Sequence, residues 1–188
     1  MTRVRIISYS QPVEGELYVG DNIQELVAYC ARVSNPSNQA NHETSERLLE
    51  YLTKHKHWSP FEMASACLEI TTTRDIARQI LRHRSFSFQE FSQRYAEQTE
   101  FSNFKEARLQ DSKNRQNSFE TEDVDLKLDW LKQQSEVALT VKKAYEWALE
   151  KGIAKEQARA VLPEGMTTST MYMNGTLRSW MHYIELRS

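Results

Sequence analysis

Between Arg82 and Tyr95 the chain gathers three arginines, a histidine, one acid and a run of hydroxyl and amide groups, Arg82-His83-Arg84-Ser85-Phe86-Ser87-Phe88-Gln89-Glu90-Phe91-Ser92-Gln93-Arg94-Tyr95. A guanidinium is a planar fork that bonds two phosphate oxygens at once, so this density suits a phosphorylated ligand. A solvated basic face is the other reading, and residue types alone leave the two open. A nucleic-acid surface, with Arg82, Arg84 and Arg94 on phosphates and Phe86, Phe88 and Phe91 as stacking platforms, is disfavoured by the formal net charge of -2.

The remaining reactive groups narrow the chemistry. Cys30 and Cys67 are the two cysteines. Cys30 falls on the apolar face of a helical pattern and Cys67 in an alternating strand pattern, neither beside a base, so no covalent enzyme thiol is indicated. Ser92 belongs to no legible Ser-His-Asp arrangement and reads as a phosphate-binding hydroxyl. His55-x-His57 with Glu62 lacks a third and fourth metal ligand, so no metal is expected.

Periodicity supplies the elements that must position these groups. Val4 and Ile6 alternate with Arg3 and Arg5, a short strand with one covered face. Asn22 and Glu25 form a capping-box pattern ahead of Ile23, Leu26, Val27 and Cys30 at helical spacing. Leu48, Leu49 and Leu52 mark a second helix ending near Lys54-His55-Lys56-His57, and Ser59-Pro60-Phe61-Glu62 offers a cap, a first-turn proline and an acid. Ala64 to Ile70 alternates as a strand. Thr73 is placed to cap a helix with Ile76, Ala77, Ile80 and Leu81 inside, its polar face carrying Gln79, Arg82 and His83 onward to Arg84. Residues 103–125 lack apolar periodicity and read as a long exposed loop. Trp130, Leu131, Val137, Ala138, Val141, Ala144, Tyr145 and Ala148 form the longest helical stripe, which Gly152 is placed to end. A short helix closed by Pro163 carries Arg159, Met166 to Met173 reads as a strand, and Asn174 is placed to cap a last helix with Leu177, Trp180, Met181 and Ile184 inside.

At 188 residues the chain fits one mixed α/β domain rather than a regular βαβ series. No apolar stretch approaches the roughly 18 residues of a membrane span, and the sparse cysteines favour reduced thiols. A cytoplasmic protein is expected, or one of a host's cytoplasm if the source is viral, with neither nucleic acid nor membrane as partner.

Arg82-His83-Arg84, seven residues and then Ser92 resembles the signature of the flavin-dependent thymidylate synthases, with Gln89-Glu90 and Arg94-Tyr95 in the same style. Cys30-Ala31-Arg32-Val33-Ser34, His57-Trp58-Ser59-Pro60-Phe61-Glu62, Ala158-Arg159-Ala160-Val161-Leu162-Pro163 and the stretch from Arg178 to Arg187 resemble further blocks of that family, so the likeness covers almost the whole chain. It implies an α+β fold with a central, mostly antiparallel sheet flanked by helices, spanning 1–188 with the family's C-terminal tail absent. The implied activity is a methyltransferase of nucleotide biosynthesis, making dTMP from dUMP with FAD, 5,10-methylenetetrahydrofolate and NAD(P)H, in a homotetramer whose active sites are shared between subunits. By position, the family's FAD contacts fall on Ser59, Arg82, His83, Arg84, Glu90, Thr176, Leu177, Arg178 and His182, although the family often has Asn where Thr176 and His182 stand. Its dUMP contacts fall on Gln79, Arg82, Glu90, Phe91, Ser92, Gln93, Arg94 and Arg159, some donated by a neighbouring subunit. Arg187 matches the arginine that sits against the pyrimidine, as the catalytic residue. His57 and Glu62 match residues on the folate and nicotinamide side of the flavin.

Overall fold

The computed structural model describes residues 2–16, 18–98 and 101–187. Its elements run β1 (Arg3–Tyr9), α1 (Ile23–Ala31), α2 (Ser45–Lys54), β2 (Ser65–Thr73), α3 (Arg74–Ile80), β3 (Ser87–Glu90), β4 (Arg108–Gln110), β5 (Ser118–Glu120), α4 (Val124–Glu150), α5 (Lys155–Ala158), β6 (Thr168–Thr176) and α6 (Leu177–Arg187). Single 3-10 turns lie at Pro36–Asn38, Ser59–Glu62 and Arg159–Val161.

Four strands form one sheet in the order β1-β2-β6-β3. Hydrogen bonds fix their directions. Arg5 meets Glu69 while the Ser10 N–H reaches the Ser65 carbonyl, so β1 and β2 run antiparallel. Thr71 meets Thr170 and the Arg74 N–H reaches the Thr167 carbonyl, which sets β2 against β6 in the same sense. Phe91 donates to the Thr170 carbonyl while Phe86 lies against Gly175, giving an antiparallel β6 and β3. The fold is therefore α+β with an antiparallel sheet.

The chain groups into two compact units. One holds Met1–Arg3, Thr71–Ile80 and Glu90–Thr170; the other holds Val4–Ile70, Leu81–Gln89 and Met171–Ser188. In the second unit Val27, Leu52, Phe61 and Ala64 form the buried core, with Leu26, Leu48, Trp58, Leu177 and Met181 packed against it, so α1, α2, the 59–62 turn and α6 share one interior. The N-cap half of the capping box ahead of α1 is present, Asn22 Oδ1 accepting from the Glu25 N–H, while Glu25 reaches back one residue further than the box requires, to the Asp21 N–H. The C-terminus of α2 is a Schellman turn, with the His57 N–H on the Leu52 carbonyl and the Lys56 N–H on the Thr53 carbonyl. Lys56 occupies its left-handed position at φ 58°, where glycine is the usual residue.

In the first unit Tyr145, Ala148 and Ala158 are buried with Leu149 and Leu162 around them, joining the end of α4 to α5. The helix stops as its sequence predicts, in a second Schellman turn with Gly152 at φ 76°, the Ile153 N–H on the Ala148 carbonyl and the Gly152 N–H on the Leu149 carbonyl. Midway along α4, buried Gln134 accepts from the Lys105 N–H and donates to the Lys105 carbonyl, at 2.8 and 2.9 Å, and so pins the segment that follows β3 to the helix.

Several expectations are corrected. β1 has no covered face: Val4, Ile6 and Ile7 are 54, 65 and 46% exposed, because β1 pairs along one side only and nothing in the described chain packs on it. Ser59 caps no helix; Trp58 precedes a single 3-10 turn without a side-chain cap bond. Helix α3 ends at Ile80, because β3 begins at Ser87 and the chain must turn between them, so Arg82, His83 and Arg84 lie beyond the helix rather than on its polar face. The stretch 103–125 carries an antiparallel hairpin, β4 with β5, in the register Arg108↔Glu120 and Gln110↔Ser118. Asp111 closes its turn by accepting from the N–H groups of Lys113 and Asn114 and from the Asn117 amide, bonds that hold its carboxyl below the usual range. The α4 stripe is buried only toward its end, since Trp130, Leu131 and Val137 are exposed. Asn174 lies within β6, and Thr176 caps α6 by accepting from the Ser179 N–H; Ile184 is exposed.

Candidate active site

The predicted site residues fall into two sets, one in each compact unit. In the second unit, α6 and the 59–62 turn bring several together. Arg178 forms an ion pair with Glu62, and the His182 ring meets the Trp58 ring edge-on at 5.1 Å. Leu177 is anchored by its N–H on the Ala64 carbonyl, Thr176 caps the helix, and His57 just before the 59–62 turn and Ser59 at its start are exposed.

The arginine-rich turn is fixed from below by aromatic packing. Phe86 is buried against Trp180 at 4.7 Å and Tyr183 at 5.8 Å, and Ser179 donates to the Ser85 carbonyl. A Cβ at buried Gly175 would stand 2.4 Å from the Phe86 ring, so the close approach of β6 to that ring requires glycine. His83 meets Tyr183 edge-on at 4.8 Å, and its Nε2 lies 3.0 Å from Arg187 Nη2. A guanidinium only donates, so Nε2 is the acceptor and the ring is neutral. Burial, the Arg187 cation and the Arg82 cation all push His83 below its ordinary value. Arg82 and Arg84 are exposed and pair with no carboxylate among the described residues.

In the first unit, Glu90 accepts from Ser169 Oγ at 2.8 Å and pairs with Arg74 at 3.4 Å. Phe91 is held through its N–H, and the Ser92 carbonyl accepts from the N–H groups of Tyr95 and Ala96, which makes Ser92 the start of a tight turn. Arg94 reaches the Glu156 carboxylate at 3.3 Å, and Arg159 donates to the Glu156 carbonyl at 3.1 Å, so one residue orients both cations. Gln93 is only 4% exposed and its amide donates to Gln98, which leaves its backbone as the part available to a ligand. Gln79 is exposed on α3.

Arg74, Ser169, Glu156, Trp58 and Tyr183 were not singled out by sequence. For Arg74 a signal existed: Glu90 is the lone carboxylate between Arg82 and Arg94, and a half-buried acid needs donors of its own. The donor set fits FAD, because unpaired Arg82 and Arg84 suit a pyrophosphate, and Trp58 with His182 offers ring surface near Arg178. Among the described residues no group of three or more His, Cys, Asp or Glu is arranged to hold a metal ion, and none of the helices is long and apolar enough to cross a membrane.

The fold is shared with pyrimidine-nucleotide methylases. Two solved structures of the UMP/dUMP methylase PolB from Streptomyces cacaoi, bound with 5-Br UMP and 5-Br dUMP, match with a TM-score of 0.75 at 25 and 26% identity, over 98 and 97% of this chain and 75 and 76% of theirs. Residues 17–188 match the sequence profile described as thymidylate synthase complementing protein. Similar proteins include the probable flavin-dependent thymidylate synthase of Paramecium bursaria Chlorella virus 1, 52% identical over 98% of this chain and 83% of its own length. The flavin-dependent thymidylate synthase of Synechocystis sp. is 49% identical over 98% of this chain and 84% of its own length. The chain belongs to the flavin-dependent thymidylate synthases.

Proposed function

We propose that the chain makes dTMP from dUMP by reductive methylation, with FAD bound, 5,10-methylenetetrahydrofolate as carbon donor and NAD(P)H as reductant. The observation that carries this is the Arg82-His83-Arg84 turn: two exposed guanidiniums without carboxylate partners among the described residues, beside a neutral histidine that accepts from Arg187. FAD, when bound, supplies the hydride that turns the transferred methylene into a methyl group, while the pyrimidine C5 gives up its proton.

The chain's own residues bind and polarise. Arg82, Arg84 and Arg178 neutralise the FAD pyrophosphate, with Ser59, His83, Glu90, Thr176, Leu177 and His182 as its other contacts. Arg94, Arg159 and the Ser92 turn take the dUMP phosphate, while Gln79, Glu90, Phe91 and the Gln93 backbone border the nucleotide. Arg187 stabilises the negative charge that develops on the pyrimidine as C5 becomes nucleophilic. His57 and Glu62 lie on the folate and nicotinamide side. The active assembly is a homotetramer with shared sites, a reading supported by the exposed apolar residues Val4, Ile6, Leu128, Leu139 and Trp147 on β1 and α4. It works in the cytoplasm, or in a host's cytoplasm.

The test is direct. The purified protein is expected to be yellow, to change its flavin spectrum when dUMP is added, and to form dTMP only with the folate and NAD(P)H both present; light scattering is expected to give four copies. Protein that takes up no FAD, or that takes up FAD and dUMP yet forms no dTMP, would overturn the proposal.

A further inference from the structure

Glu90 ends β3 with its carboxylate gripped on one side only. Ser169, on the neighbouring strand β6 and 1% exposed, donates to Oε1 at 2.8 Å, and Arg74, the first residue of α3, brings Nη1 to the same oxygen at 3.4 Å. The side chains of Arg74 and Glu90 are 13 and 21% exposed, so both donors act largely out of water, where hydrogen bonds hold geometry well. Among the described residues Oε2 accepts no hydrogen bond. Both donors fall on one oxygen, which sets the rotation of the group and leaves the lone pairs of the other open to a further donor.

We infer that Arg74 and Ser169 are positioning residues that hold Glu90 so that Oε2 accepts from an N–H or O–H of the bound nucleotide. The inference rests on the proposed binding of dUMP. Neither residue touches the nucleotide itself; each acts by keeping the acceptor in one orientation before it arrives, a cost that is otherwise taken out of affinity.

Titrating FAD-loaded protein with dUMP and following the flavin spectrum tests this. In FAD-saturated protein, Arg74→Ala and Ser169→Ala are each expected to raise the dUMP Kd by about tenfold, the loss of one charge-assisted or buried hydrogen bond. Arg74→Lys is expected to recover part of the affinity. In a Glu90→Gln background Arg74→Ala should change Kd by less than about twofold, because the group it positions is already impaired. Equal losses in both backgrounds would mean that Arg74 acts elsewhere and would overturn the inference, as would single variants with wild-type Kd. Should Arg74→Ala fail to fold, Ser169→Ala, which removes one hydroxyl, supports the same cycle. Wild-type protein that bound no dUMP would instead defeat the proposed function.

Discussion

Gly175→Ala places one methyl group where the Phe86 ring now lies. The new Cβ would stand 2.4 Å from Phe86 Cδ1 and 2.6 Å from Cε1, about 1 Å inside an ordinary carbon contact. The ring has little room to retreat, since Trp180 and Tyr183 stand at centroid distances of 4.7 and 5.8 Å and Phe88 at 6.2 Å. Overpacking of this kind costs about 1–3 kcal/mol, and the backbone gain from replacing a strand glycine returns roughly 0.5–1 kcal/mol. Because the contact is so short and the ring is hemmed in, the overpacking cost falls in the upper half of that range, about 2–3 kcal/mol, so a net loss of about 1–2.5 kcal/mol is expected in urea unfolding, with a Tm lower by roughly 2–10 °C. Because Phe86 is two residues from Arg84, the displaced ring should also loosen the arginine turn and reduce FAD retention on gel filtration. Adding Phe86→Leu vacates the space, so the double variant should be more stable than the sum of the two single losses by about 1 kcal/mol or more. A single variant as stable as wild type, or a double variant with strictly additive losses, would refute the account of Gly175 as a close-approach position.

Arg187→Ala is expected to keep FAD yet lose about a hundred- to a thousandfold in single-turnover dTMP formation, and to let the His83 titration followed by NMR move back toward its ordinary value. Because His83 titrates below its ordinary 6.5 in the folded chain, the unfolded state binds the extra proton in the window beneath 6.5, and stability should rise with pH across it and level off above. Urea midpoints of wild type and His83→Gln should therefore diverge on going from about pH 8 to about pH 5, wild type losing more; parallel curves would count against a neutral His83. Lys56→Gly relieves a left-handed lysine at the end of α2 and should stabilise the chain by about 0.5–1 kcal/mol in urea unfolding, the gain being reduced by glycine's freedom when unfolded.

What was legible in the sequence was local. The Asn22 cap, the α2 helix, the strand read from Ala64, which begins at Ser65, and the Gly152 stop depend on neighbours a few residues apart, and all are present, although burial along that strand does not alternate. Helix α3 could not be bounded that way, because its polar face continues into Arg82-His83-Arg84 without a glycine or proline to mark the stop; the demands of β3 decide it. The hairpin within 103–125 was missed because its strands are three residues each, too short to show alternation, although Asp111 followed by Lys113 and Asn114 is turn chemistry. The covered face expected of β1 failed for a different reason: an alternating pattern announces that apolar residues need a cover, not that their own chain supplies it. Family resemblance named Glu90, Arg94 and Arg159, but Arg74 and Ser169 lie 16 and 79 residues from Glu90 and Glu156 lies 62 residues from Arg94, beyond any periodic pattern; only the Glu156 bond to Arg159, three residues on, is local.

Gln134 treats Lys105 as a neighbouring strand would, giving and taking one hydrogen bond with the peptide and leaving the lysine side chain out of the bargain. This tether to α4 is thus blind to which amino acid stands at 105, while the lysine Nζ makes a separate bond to Thr73 Oγ1 at 3.3 Å. Substitutions in the hairpin beyond residue 105 leave this attachment to α4 untouched, provided the glutamine and a non-proline at 105 are kept. Such an arrangement separates where a surface segment is moored from what it displays, and lets the second drift without disturbing the first.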